Sequence, residues 1–180
     1  LFTGADARYR FQLGGAGKCR RFANAALQNQ IWHEQRRLDG VEIKAGVGFD
    51  CPLGGKTAQR ISFEGSALRN FEVNNNRLGG NRNGLQLEAV WQAAVSGGIL
   101  AARFNYTQLL DEQGFSPLLE GNARRTVNRS SMSLQYQKEI YWAGDGTQLL
   151  LRFYHQDQNS NLGLFETEDT SFEFGLRWLF

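Results

Sequence analysis

The 180-residue sequence predicts an all-β fold, an antiparallel up-and-down transmembrane β-barrel of about nine strands forming a single domain over residues 1–180. Three observations predict it. Apolar residues recur at every second position along most of the chain, and helical spacing wins nowhere. The links between these stretches alternate between short, glycine-rich turns and longer polar segments. Finally, only 41% of residues are hydrophobic, yet there are 13 Phe, 4 Trp and 5 Tyr against 2 Pro, which suits strands that are apolar on one face.

The first strand alternates Ala5, Ala7, Tyr9, Phe11 and Leu13 with Asp6, Arg8, Arg10 and Gln12. The second, about 19–33, repeats the pattern less strictly. The third is regular: Val41, Ile43, Ala45, Val47, Phe49 and Cys51 against Glu42, Lys44, Gly46, Gly48 and Asp50. A fourth spans about 57–71. In the fifth, Leu85, Leu87, Ala89, Trp91, Ala93 and Val95 alternate with Gln86, Glu88, Gln92 and Ala94, with Val90 interrupting the polar face. Strands at about 99–109, 127–141 and 147–156 follow. The ninth places Phe172, Phe174, Leu176, Trp178 and Phe180 against Ser171, Glu173, Gly175 and Arg177.

After Leu13, Cys51, Val95 and Tyr141 come the tight turns GGAGK, PLGGK, SGG and AGDG, built from residues that tolerate positive φ or fix a turn. The other links, EQRRLDG, VNNNRLGGNRNG, LDEQGFSPLLEGNARR and DQNSNLGLFETE, are long and polar. Short turns on one edge and long loops on the other are the asymmetry of membrane barrels, whose apolar side chains meet lipid and whose polar ones line the lumen. In hydrocarbon every backbone amide needs a partner within the protein, so such a sheet must close. A soluble up-and-down barrel of similar length would place the apolar face inside, and periodicity alone leaves both arrangements open.

The last strand carries Glu173, Gly175, Trp178 and a terminal Phe180, in the order polar, any, Gly, any, any, aromatic, any, aromatic. This resembles the C-terminal signal that the β-barrel assembly machinery of Gram-negative bacteria reads on its clients. The resemblance implies the bacterial outer membrane as location, its lipid and lipopolysaccharide as surroundings, and that machinery as an assembly partner. Strand addition at an open sheet edge is the physical sense of such a signal. If Phe180 is periplasmic, the last strand runs inward, every tight turn is periplasmic and every long loop is outside. The first strand then also runs inward. Barrels of this kind have even strand numbers, so nine strands read as the C-terminal part of a larger barrel. The rival count sets residues 1–18 aside and takes Cys19 to Phe180 as a complete eight-stranded barrel.

Cys19 opens the second strand and Cys51 closes the third, and a symmetric hairpin centred on Gln35 sets them opposite each other. Both have the parity of the apolar positions. An oxidising compartment permits a cross-strand disulfide there, and two separate thiols are the alternative.

Charge directs little: 20 Lys plus Arg face 18 Asp plus Glu, which implies no pull toward nucleic acid. No phosphate-cradling glycine loop, metal-spaced Cys or His cluster or nucleophile elbow occurs, so neither cofactor nor enzymatic activity is expected. His33 adjoins the first long loop and reads as a solvated rim residue. The segment HQDQNSNLGLFE, with His155, Ser160 and Asn161, faintly resembles the outer-membrane lipid A deacylases, in which a Ser closely follows a His. Here Ser160 and Asn161 follow at five and six positions rather than two and three, and i and i+5 on a strand do not share a face. Asn74, Asn75, Asn76, Asn81 and Asn83 read as a flexible, solvated loop. Strict alternation assigns Glu42, Lys44, Asp50, Arg60, Glu64, Glu88, Arg103, Glu139, Arg152, Glu173 and Arg177 to the lumen, a mixed-sign set that suits a water-filled pore or a salt-bridged plug.

The stretches GFSPLLEGNARR and QNSNLGLFETEDTSFEFGLRWLF resemble the C-terminal barrels of outer-membrane exporters that carry periplasmic tetratricopeptide repeats, such as surface lipoprotein assembly modifiers. That resemblance implies a porin-like transport or secretion path for polypeptide or polysaccharide, and an upstream periplasmic domain. The competing expectation is a small closed barrel with an adhesive, receptor or structural role through its loops.

Overall fold

Nine strands in unbroken antiparallel succession form one sheet in the computed structural model, which describes residues 2–13, 19–32, 39–54, 58–73, 77–140 and 146–178. They are β1 (Phe2–Gln12), β2 (Arg20–Trp32), β3 (Gly40–Leu53), β4 (Gln59–Glu72), β5 (Arg82–Val95), β6 (Gly98–Gly114), β7 (Arg124–Glu139), β8 (Thr147–Ser160) and β9 (Thr167–Trp178). Each pairs only with its sequence neighbours, and the described parts of β1 and β9 are not joined. β1 is no appendage, because it pairs with β2 from Phe2↔Trp32 to Gln12↔Phe22, so the count that begins at residue 19 does not hold.

Register carries the alternation from strand to strand, with one irregularity in the β6–β7 pair between Leu110 and Gly114. The row Ile61, Trp91, Ala102, Leu134, Phe153, Phe172 crosses β4 to β9 on one face. That face is exposed: Val47, Phe172 and Phe174 keep 63%, 71% and 66% of their surface open, and Tyr9, Phe11, Leu85 and Phe104 are exposed as well. Buried apolar residues are few among those described, namely Phe22, Leu68, Ala93, Val127, Ile140 and Leu162. On β5 the apolar run from Leu85 to Val95 covers about 34 Å of strand, and a tilt of about 40° brings this to ~26 Å, the height of a bilayer's apolar band.

The other face is polar and turns inward. Arg10 of β1 reaches Glu64 of β4 at 3.9 Å across the two strands between them, which a flat sheet would not allow. Small residues make the curl possible. A Cβ on Gly48 would strike the Phe22 ring at 2.4 Å, so Phe22 folds over β3 with the Arg10 guanidinium 3.7 Å from its ring centroid.

The strands outrun the apolar pattern at the long-loop end. β5 begins at Arg82, β6 continues to Gly114, β7 starts at Arg124 and β8 reaches Ser160, so the two last long links shorten to residues 115–123 and 161–166. Backbone ladders need no apolar face, and polar strand ends keep pairing beyond it. At the opposite end the SGG stretch forms a two-residue turn in which Ser96 and Gly97 both take positive φ, 50° and 77°, the geometry that matches hairpin twist. Cys19 and Cys51 form a disulfide with Cα atoms 4.2 Å apart, continuing the ladder one pair past Arg20↔Asp50.

Candidate functional site: the concave polar face

All eleven charged residues expected on the inner wall share one face by strand register. Eight of them stand as neighbours of opposite sign. Arg60 binds both carboxylate oxygens of Asp50, Lys44 Nζ lies 3.1 Å from Glu64, Arg103 lies 3.8 Å from Glu88, and Arg152 lies 4.0 Å from Glu173. From β6 to β8 the wall changes character to hydroxyls and amides: Asn105, Thr107, Ser131, Ser133, Gln135, Gln137 and Gln148. Gln137 donates to Gln148 across the β7–β8 pair.

The short-turn half of this face is open. A cavity of about 510 Å³ sits among Arg20, Asp50, Arg60, Gln92 and Ile99, and one of about 520 Å³ lies among Arg10, Asn24, Lys44, Glu64 and Glu88. A third of about 250 Å³ is lined by residues of both, Asp50, Arg60 and Gln92 from the first and Arg10 from the second. Such a surface can hold water and hydrogen-bonding solutes, with its charges neutralised locally.

The long-loop half is closed by groups that periodicity did not single out. Asp111, 1% exposed, has Arg82 Nε 3.0 Å from one oxygen and accepts from Arg125 Nε at 3.1 Å on the other. Arg125 is itself held between the rings of Phe115 and Phe165, at 4.7 and 4.5 Å. Arg77, also buried, donates to Asn70 Oδ1 and, at 2.9 Å, to the Asp39 carbonyl. Burial lowers its pKa from the usual arginine value, while Glu72 and Asp111 pull the other way. Part of the signal for this knot lay in extending the ladder: Arg82 pairs with Asp111, and Arg125 has the inward parity of β7 just beyond Leu110↔Thr126, where the β6–β7 pairing becomes irregular.

On the outward face above the apolar band, Glu112 gathers Arg69 at 2.8 Å, Asn83 at 2.9 Å and Asn81 at 3.1 Å. Asn81 and Asn83 are thus part of a fixed polar collar, and Asn83 belongs to β5; Asn74, Asn75 and Asn76 lie outside the described residues, as does His33. His155 also faces outward, with Nδ1 2.9 Å from Thr170 Oγ1, whereas Ser160 sits on the opposite face and accepts from the Leu162 N–H at 3.1 Å. No base and nucleophile meet there. Asn161 fastens the last loop to β7, accepting from the Thr126 N–H at 2.7 Å. Of the terminal signal, Glu173 and Gly175 lie on the inner face of β9 and Trp178 ends that strand, while Phe180 is outside the described residues. Among the described residues no group of three or more His, Cys, Asp or Glu is placed to hold a metal.

Comparison with protein-family models, with curated proteins and with solved structures found no match.

Proposed function

We propose that the chain is the membrane-spanning wall of a transport or translocation pore in a bacterial outer membrane. One observation carries the reading: an apolar face exposed over nine strands, backed by a concave polar face that holds cavities. Lipid on the outside accounts for aromatic rings left bare, and water inside accounts for charges that the wall neutralises pairwise. Because β1 and β9 run in the same direction, an antiparallel barrel is completed by an odd number of further strands set between their free edges. Polypeptide, polysaccharide and smaller polar solutes all suit a path of this chemistry, and assembly by strand addition suits the β9 edge.

The test is single-channel recording on the protein folded into planar bilayers, with folding checked by altered gel mobility before boiling. Stable conductance steps are expected. A folded, membrane-inserted protein that never conducts would favour a closed barrel acting through its loops.

A further inference from the structure

The closed half of the concave face is filled partly by wall and partly by a short piece of chain, and the two are held by different forces. Loop 161–166 adds apolar anchorage to its hydrogen bonds through Asn161 and the Phe165 carbonyl, since Leu162 is 2% exposed and the Phe165 ring packs on Phe115 with centroids 4.7 Å apart. Residues 77–81 are held otherwise. The Glu112 and Gln113 N–H groups donate to the carbonyls of Asn81 and Gly79 at 2.9 and 3.0 Å, so the segment lies along the end of β6. Gly79 and Gly80 take φ of 84° and 66°, and a Cβ on Gly79 would overlap the Asp111 carboxylate at 2.1 Å. Arg77 is buried beside that cluster, bonded to Asn70 and the Asp39 carbonyl and within reach of the charges on Asp111 and Arg125, while Leu78 points out. The segment therefore contributes no buried apolar side chain to its own anchorage.

We propose that residues 77–81 are a lid latched across the long-loop mouth of the lumen, with the Asp111 carboxylate as the post it closes on, and that its release opens the polar path. The opening role rests on the transport reading, but the latch itself does not. Polar anchorage matters here because hydrogen bonds and ion pairs can be exchanged for water as the lid swings out, whereas an apolar plug would resist exposure. The two adjacent glycines supply the backbone freedom for a hinge. The open cavities below the cluster give the lid something to close.

The test uses the full chain folded in phospholipid vesicles, with Asp111→Asn and Arg77→Gln as variants. Arg77→Gln leaves the Asp111, Arg82 and Arg125 contacts in place, so it carries the test if Asp111→Asn does not fold. Trypsin is the first readout. The wild-type chain is expected to resist cleavage after Arg77 and Arg82, and each variant to be cut after Arg82 at least tenfold faster with its gel mobility still that of a folded barrel. Planar-bilayer conductance is the second, with larger or more frequent openings expected in the variants. Equal trypsin resistance in all three proteins would overturn the latch. Faster cleavage with conductance identical to wild type would overturn the gate. If all three are folded and none conducts, the transport reading is what fails, and cleavage alone decides the latch.

Discussion

The two ends of the concave face are built from the same nine strands and the same alternation, yet one is hollow and the other solid. At the short-turn end, Asp50 and Arg60 pair in a cavity of about 510 Å³ with the arginine largely exposed. At the long-loop end, Asp111 takes two arginines and loses nearly all contact with solvent, with Phe115 and Phe165 flanking Arg125 and Gly79 packed against the carboxylate. The difference teaches that alternation decides which way a charge faces but not what it is worth. Worth depends on what the loops bring over it.

The contrast can be broken most directly at Asp111. Asp111→Ala leaves two guanidinium groups facing each other in a buried site, and about 3–5 kcal/mol of unfolding free energy should be lost. Urea titration of the vesicle-folded protein measures it, and a loss under 1 kcal/mol would make the two ends equivalent. A control on the opposite face tells whether the hollow is a lumen at all. Val47 is 63% exposed among small neighbours, Ala23 and Gly65. Val47→Arg should cost about 2–4 kcal/mol if that face meets acyl chains near the middle of a bilayer. For a face in water the change should fall within about 0.5 kcal/mol. The smallest effect belongs to the hollow end: Arg60→Ala should cost about 0.2–1 kcal/mol, and less as salt is raised.

How much of this could be read from the sequence follows the same divide. Strand number, strand order, the face of every charged wall residue and the Cys19–Cys51 pairing follow from a period of two and from two classes of turn, because each strand repeats one local rule. The strand ends did not follow. Residues 82–84, 111–114, 124–126 and 157–160 are polar on both faces and look like loop, although all lie within strands, with the β6–β7 pairing irregular between Leu110 and Gly114. The closed end is made of those residues. Arg77 carries no periodic signal at all, and Arg125 sits between two rings that come from separate loops. Asn81 and Asn83 misled for a related reason: an asparagine-rich stretch has the composition of a solvated loop, and here the Glu112 carboxylate across the sheet and the Glu72 N–H fix it.

The bridge between Cys19 and Cys51 fastens β2 to β3 at one tip only, and the fastening has an order of events built into it. If the chain enters a bilayer as proposed above, oxidation beforehand would bring it there with the tips of those two strands already tied together. In the membrane setting proposed above, residues 20 to 50 would then cross as a doubled-back thread, with the neighbouring strands pairing onto it afterwards.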